Sequence, residues 1–85
     1  MALDNAAVTV GTTPTKLCEF DTGAYVANTD AAAIFVGGSS VATSGAKAGV
    51  SVAATSGVLQ LRGKGTLYAV SPAGTAANAV RVISS

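Results

Sequence analysis

The sequence predicts an all-β fold, a small antiparallel β-sandwich or β-barrel of about seven to eight short strands. Turn-forming residues recur about every eight to twelve positions, and short β-branched runs lie between them. No stretch between two turns is long enough for a helix of about ten residues. The length of 85 residues suits one domain, so residues 1–85 are predicted as a single β domain.

Apolar runs between the turns locate the predicted strands. They cover residues 6–10, 15–20, 24–28, 32–37, 48–53, 58–62, 66–71 and 79–84. Strict alternation supports several of them. In the sixth run, Leu59 and Leu61 point one way while Gln60 and Arg62 point the other, which is typical of a strand with one face in the core.

The pattern of each run also predicts its place in a sheet. Residues 32–36 and 67–70 are apolar on both faces, which predicts central or covered strands. Edge strands are expected near residues 48–53 or 79–84, where they could add to the sheet of a partner. The turn Gly63-Lys64-Gly65 is predicted to close a tight hairpin between the strands that flank it.

Two segments are predicted to lie outside the sheets. Residues 1–6 are expected to form a flexible N-terminal arm. Residues 42–49 are rich in Gly, Ala and Ser, which predicts either an exposed loop or an arm that orders only on a partner. The predicted core consists of Val8, Val10, Leu17, Phe20, Val26, Ile34, Val36, Val50, Val52, Leu59, Leu61, Leu67, Val70, Val80 and Val82.

The polar residues of the chain argue against catalysis. The sequence holds no His, one Cys and only four carboxylates, whereas catalysis needs titratable or nucleophilic groups placed side by side. Cys18 has no His to act as its base, so we interpret it as a small apolar residue of the sheet. Glu19 and Asp21 are interpreted as a solvated pair rather than as cation ligands. We therefore expect no enzyme activity, no metal and no cofactor.

Charge is scarce and unevenly distributed along the chain. Charged residues make up 11% of the sequence, less than half of the usual share of about 25%. A chain this neutral is predicted to cover part of its surface in an assembly. Residues 1–42 hold all four acidic residues and one Lys, whereas residues 43–85 hold four basic residues. The asymmetry is either chance or a sign of complementary faces that bring copies or partners together.

The sequence also disfavours several classes of partner. Four basic residues without interleaved aromatics are not the pattern of a nucleic-acid site, so no nucleic acid is expected. The first residues lack the basic start and apolar core of a signal peptide, and no run approaches the roughly 18 apolar residues of a membrane span. The single thiol is typical of a protein made in a reducing cytoplasm.

Aromatic and basic residues supply the candidate interface. Phe35 and Tyr68 each lie between residues that face the predicted core, so both side chains are expected on the opposite side of their sheet. Aromatics on a surface of small residues are typical interface anchors, but the chain could equally cover both faces of its own sheets. The candidate interface residues are Phe35, Tyr68, Tyr25, Lys47, Arg62 and Arg81.

Five segments together form a recognisable pattern of strands and turns. They are Val26-Ala27-Asn28-Thr29, Ile34-Phe35-Val36-Gly37-Gly38-Ser39, Gly57-Val58-Leu59-Gln60-Leu61, Leu67-Tyr68-Ala69-Val70-Ser71 and Val80-Arg81-Val82-Ile83. This pattern, which spans roughly residues 8–83, resembles small β-sandwich virion proteins of tailed bacteriophages. No functional residue carries over by position, because the resemblance concerns strands and turns and not a catalytic signature.

The resemblance implies a virion structural protein. The first function that it implies is that of a capsid decoration, or cement, protein, which binds the outer surface of the major capsid protein lattice and stabilises it. The chain would then be made in the host bacterial cytoplasm, form a homo-oligomer with a trimer favoured, and reside on the outer capsid surface of the virion. The alternative is a tail or head-fibre component that binds a host surface or glycan, which the absence of Trp disfavours.

Overall fold

The computed structural model of the protein describes residues 4–85, which form eight β-strands and one short 3-10 turn. The strands are β1 (Asp4–Val8), β2 (Thr15–Phe20), β3 (Gly23–Asn28), β4 (Ile34–Gly37), β5 (Val50–Val52), β6 (Gly57–Arg62), β7 (Gly65–Val70) and β8 (Val80–Ser84). The prediction of the eight strands is confirmed, with bounds that differ by at most two residues.

The strands form two four-stranded antiparallel sheets, so the predicted small β-sandwich is confirmed. Sheet I has the order β1-β8-β3-β6, and sheet II has the order β2-β7-β4-β5. Every connection except β4–β5 passes from one sheet to the other. The core therefore lies between two layers that the chain joins repeatedly.

The sheet order tests which strands are central. The apolar runs of β4 and β7 do lie inside sheet II, as predicted, and β5 lies at its edge. The prediction of an edge at residues 79–84 is wrong, because β8 lies between β1 and β3. Its pattern of one buried and one exposed face also suits a central antiparallel strand whose other face meets water.

The turn at Gly63-Lys64-Gly65 does not close a hairpin, so that prediction is wrong. β6 pairs with β3 in sheet I, whereas β7 pairs with β2 and β4 in sheet II. The chain thus crosses the core at this turn, and Gly63 takes a φ of 116° that favours glycine. The two flanking leucines, Leu61 and Leu67, both point into the core, each from its own sheet. The residues of a tight turn are the same whether the chain crosses between sheets or returns in a hairpin, so the sequence could not distinguish the two.

The N-terminal residues are partly in a sheet. β1 begins at Asp4, and Asp4, Asn5 and Ala6 are paired with β8. This corrects the predicted arm 1–6 for residues 4–6, because the backbone hydrogen bonds of the sheet hold them. Residues 1–3 of the predicted arm lie outside the described residues.

The core is built mainly from Val, Leu and Ile that alternate along the strands. Its buried members are Val10, Leu17, Val26, Ile34, Val36, Val52, Leu67, Ala69, Val80 and Val82. Val8, Phe20, Leu59 and Leu61 are only partly buried around it, together with Cys18. Val50 was predicted in the core but is 59% exposed. It does face inward, opposite Val36, but β5 ends the sheet there and no strand covers it.

The β4–β5 connection folds back on sheet II. It contains the 3-10 turn Gly45–Lys47, and Ala42 bonds to both Lys47 and Gly49 through its backbone. Val41 is buried, although sequence analysis did not place it in the core. A Cβ on Gly37 would lie 3.1 Å from the Val41 Cγ2 atom, so Val41 packs directly on the backbone of β4.

Residues 28–30 tie the loops together at one end of the sandwich, and we call them the Asn28–Asp30 clamp. Asn28 is fully buried, and its Nδ2 donates to the carbonyl oxygens of Ala32 (2.9 Å) and Val52 (3.2 Å). Asp30 accepts hydrogen bonds from the backbone N–H groups of Ala32 (3.1 Å) and Ala76 (2.9 Å). Asn28 Nδ2 also donates to the carbonyl oxygen of Ala53 at 3.2 Å, so the clamp joins the β3–β4, β5–β6 and β7–β8 connections.

Candidate interaction surface

The outward side of sheet I forms one surface, which we call the sheet I outer face. Its positions follow from the register, because residues directly opposite each other in a sheet share a face. Tyr25 lies opposite both Gln60 and Ile83, while Ala27 lies opposite both Val58 and Arg81. The full set of outward residues is Asn5, Ala7, Gly23, Tyr25, Ala27, Val58, Gln60, Arg62, Arg81 and Ile83.

This face concentrates exposed apolar side chains. Tyr25 is 40%, Val58 56% and Ile83 43% exposed, and of the large exposed hydrophobic residues in the described chain only Val50 lies elsewhere. Tyr25 and Ile83 are direct cross-strand neighbours, with Cβ atoms about 5 Å apart in such pairs. The grouping of these exposed apolar side chains makes the sheet I outer face the candidate interaction surface of the described residues.

The sheet I outer face is also positively charged. Arg62 ends β6, and Arg81 in β8 donates from its Nε to the carbonyl oxygen of Asn78 at 3.3 Å. Among the outward positions of the four described strands there is no carboxylate to neutralise them. Elsewhere, Glu19 on sheet II pairs with Lys16 at 3.5 Å. The face thus suits a partner surface with an apolar centre and acidic margins.

A shallow hollow of about 280 Å³ lies at one end of this face. Tyr25, Gln60, Arg62 and Ile83 line it, together with Ser85. The carbonyl oxygen of Ser85 accepts from the N–H groups of Asp21 and Thr22, both at 2.8 Å, which fixes the wall of the hollow. The hollow therefore combines an aromatic ring with a guanidinium and an amide.

The structure divides the predicted interface residues among three places. Tyr25, Arg62 and Arg81 come together on the sheet I outer face. Phe35 and Tyr68 lie on the outer side of sheet II, as predicted, where both are half-buried. Lys47 is exposed in the 3-10 turn.

The outer side of sheet II is partly covered by the chain itself. Phe35 lies directly opposite Val70, which is 4% exposed although it faces outward. Gly37, on the same face, lies under Val41 of the β4–β5 connection. These contacts favour, for sheet II, the alternative in which the chain covers both faces of the sheet.

Sequence analysis missed two residues of the sheet I outer face, Val58 and Ile83. The alternation along each strand places both residues on this face: Val58 points to the same side as Gln60 and Arg62, and Ile83 points to the same side as Arg81. Their exposure was not visible, because it depends on whether another layer covers sheet I.

Two titratable groups among the described residues have shifted pKa values. Burial raises the pKa of the Cys18 thiol, and Lys16 only partly opposes this shift, so the thiolate is disfavoured. The backbone N–H groups of Ala76 and Ala32 lower the pKa of Asp30. Within residues 4–85, no three residues of the types His, Cys, Asp and Glu come close enough to hold a metal ion.

The buried hydroxyl of Ser71 is a separate feature of the core. It is the one buried side-chain polar atom of the described chain that lacks a hydrogen-bond partner. Its backbone N–H donates to the carbonyl oxygen of Gly11 at 2.9 Å, so the residue is held by its main chain.

None of the helical segments in the described part of the chain is long and apolar enough to cross a membrane. Comparisons with family models, with curated proteins and with solved structures each found no match for this chain.

Proposed function

We propose that this chain is a virion structural protein, a capsid decoration protein that binds the outer surface of a major capsid protein lattice. The observation that carries the proposal is the sheet I outer face, where Tyr25, Val58 and Ile83 are exposed beside two unneutralised arginines. The sequence resemblance to phage virion proteins and the low share of charged residues support it. In this role the chain is made in the host bacterial cytoplasm and acts without a cofactor.

The mechanism is mechanical. Each docked copy contributes a modest contact, and several linked copies that span the joints between capsid subunits raise the free energy needed to separate them. The apolar centre of the sheet I outer face provides burial, and Arg62 and Arg81 orient the copy towards acidic residues of the lattice. A rigid sandwich suits this role because little conformational entropy is lost when it docks.

The proposal is tested by co-sedimentation with empty capsids of the cognate virion. We expect the purified chain to sediment with the capsids and to raise the temperature at which they dissociate. Tyr25→Ser should weaken binding at least about tenfold, because the ring is central in the apolar surface. Tyr68→Ser is the matched control, an outward tyrosine on the other sheet, and should change binding less than about twofold.

The charges allow an independent comparison. Arg81→Glu should weaken capsid binding at low salt and have little effect at high salt, whereas Lys64→Glu, in the turn after β6, should change neither. If the chain ignores capsids, or if the Tyr25 and Tyr68 variants bind equally well, capsid docking through the sheet I outer face is refuted.

A second function is favoured by one observation, the hollow beside Tyr25. Sugar rings stack on aromatic side chains, and Gln60 and Arg62 offer hydrogen-bond donors around this ring. The chain would then be a tail or head-fibre component that binds a host-surface glycan. Titration with host polysaccharides, followed through the NMR signals of Tyr25, distinguishes the two: saturable shifts without capsid binding support the glycan function.

A further inference from the structure

The free edge of β6 presents a regular row of backbone groups. The N–H of Gly63 donates to the carbonyl oxygen of Thr22 at 3.1 Å, which continues the register of β3 and β6. Because hydrogen-bonded pairs alternate in antiparallel sheets, Leu59 and Leu61 then bond to β3. The alternate residues of β3 direct their backbone groups to β8 instead, as shown by the N–H of Ser85, which donates to the carbonyl oxygen of Gly23 at 3.1 Å.

It follows that Val58, Gln60 and Arg62 direct their N–H and C=O groups away from the sheet. An edge of this kind invites pairing with another strand unless proline, a bulge, lysine or short length blunts it. Along β6 (Gly57–Arg62) there is no proline and no lysine, its pairing with β3 shows no register shift, and its only charge is terminal.

The two edge strands of sheet II differ from β6, and β1, the other edge of sheet I, is one residue shorter than β6. β2 carries a register shift between Lys16 and Cys18 and a surface ion pair between Lys16 and Glu19. β5 has only three residues. β6 is therefore, with six residues, the long and unblunted edge on its side of the sandwich.

The inner side of the same edge is also incomplete. Leu59 and Leu61 face the core but are only partly buried, and Val50 on the neighbouring edge β5 faces inward while 59% exposed. β5 and β6 end their sheets on the same side of the molecule, where they contact each other. An additional strand beside β6 would cover this apolar seam.

We propose that β6 pairs antiparallel with β6 of a second copy of this chain, about a two-fold axis through Gln60. In this register Gln60 lies opposite Gln60, Val58 opposite Arg62, and Leu59 opposite Leu61. The residues whose backbone groups are free are thereby the residues that pair, and each donates one hydrogen bond and accepts one. Sheet I becomes a continuous sheet across both copies.

A second copy is the occupant because the edge is complementary to itself. The register joins inner leucines to inner leucines, so both cores extend across the axis. The two Arg62 side chains lie at opposite ends of the paired strands, roughly 14 Å apart along them, and do not repel at short range. The two Gln60 amides meet at the axis, where each can donate to the other.

The pairing does not rest on the proposed function and goes beyond it. An isologous contact closes at two copies, so this interface builds a dimer, whereas the resemblance to phage virion proteins favours a trimer. It also merges two sheet I outer faces into one larger surface. A dimer formed in this way would present both apolar centres to a partner on the same side.

Hydrogen exchange of single amides gives the sharpest test. In a monomer the N–H groups of Val58, Gln60 and Arg62 face water, whereas those of Leu59 and Leu61 are bonded. We expect the first three to become protected as the concentration of the isolated chain rises, in parallel with a dimer mass by light scattering. Fast exchange of all three in a sample that is a trimer or a monomer at high concentration would overturn the pairing.

Two substitutions at the axis make the test independent of folding. Gln60→Lys places two lysines opposite each other, so the dissociation constant of the dimer should rise at least about fivefold. Gln60→Thr, which suits a strand and adds no charge, is the control and should dimerise like the parent. Equal dimerisation of both variants, with each folded, contradicts the register.

Cross-linking fixes the register directly. In a Cys18→Ser background, Gln60→Cys places two thiols across the axis with Cα atoms about 5.5 Å apart, which suits a disulfide. We expect rapid formation of a covalent dimer under mild oxidation. Thr66→Cys, also at an exposed strand position but on sheet II, is the control, and equal cross-linking of the two variants would count against the pairing. Capsids are absent from all these measurements, so they stay separate from the test of the proposed function.

Discussion

The two outer faces of the sandwich carry similar side chains but differ in how the chain treats them. On sheet II, Phe35 and Tyr68 are half-buried and Val70 is nearly fully buried. On sheet I, Tyr25 and Ile83 stay exposed. The β4–β5 connection, anchored by Val41, folds over sheet II at Gly37.

The difference shows that an outward aromatic acquires its role from what lies over it. Phe35 and Tyr25 both alternate with core residues along their strands, so their local patterns are the same. Only sheet II has a long connection between its own neighbouring strands, and this connection supplies a cover. Sheet I has no such connection, since its strands are linked only through the other sheet. Its bare face is therefore the better candidate for docking.

The largest effect is expected from breaking the cover on sheet II. In Gly49→Ala, the new Cβ would lie 2.5 Å from the Val41 Cγ2 atom and 2.6 Å from the Val36 carbonyl oxygen. Such overpacking against the backbone should lower the free energy of unfolding by about 1–3 kcal/mol. Urea unfolding followed by circular dichroism measures the change.

Gly38→Ala provides the matched control for this change. A Cβ on Gly38 meets nothing within 4 Å, so the variant should unfold within about 0.5 kcal/mol of the parent. Equal stability of the Gly49 and Gly38 variants would show that the β4–β5 connection does not pack on sheet II.

A moderate effect should separate the two aromatics. Phe35→Ser removes a half-buried ring that lies opposite Val70, so we expect a loss of about 1–2 kcal/mol in the free energy of unfolding. Tyr25→Ser removes a ring that is 40% exposed and should cost less than about 1 kcal/mol. The comparison of faces fails if thermal unfolding ranks the two variants in the reverse order.

The smallest effect on stability is expected at the Asn28–Asp30 clamp, which ties together the connections between the two sheets, and it is confined to acid pH. Hydrogen bonds from Ala76 and Ala32 lower the pKa of Asp30 from its ordinary value of 3.8. Asp30 therefore stabilises the fold fully above that value, and this contribution is lost as the pH falls through the lower pKa of the folded protein.

Acid titration of Asp30→Asn measures this contribution. As the pH falls below about 5, the free energy of unfolding should decrease less for the variant than for the parent, because the variant has no carboxylate at position 30 to protonate. Parallel acid profiles for the parent and the Asp30 variant would show that the Asn28–Asp30 clamp does not couple the loops to folding.

Much of the fold was predictable because short strands leave strong local signals. β2 was located to the residue, and alternation assigned the inner Leu59 and Leu61 and the outer Gln60 and Arg62 correctly. The hairpin at Gly63 was wrong because a tight turn has the same residues whether it returns to one sheet or crosses to the other. The burial of Val41 and the exposure of Val50 were also missed. The first depends on how the β4–β5 connection folds, and the second on β5 being the edge of sheet II.

The sequence by itself determined the fold class, the positions of the strands and the face to which each side chain points. These follow from alternation with a period of two and from turn chemistry, which act over a few residues. Only the tertiary structure decided which strands neighbour each other, which outer face the β4–β5 connection covers, and that Tyr25, Val58 and Ile83 meet beside Arg62 and Arg81. Those features depend on contacts between residues distant in sequence, which no local pattern specifies.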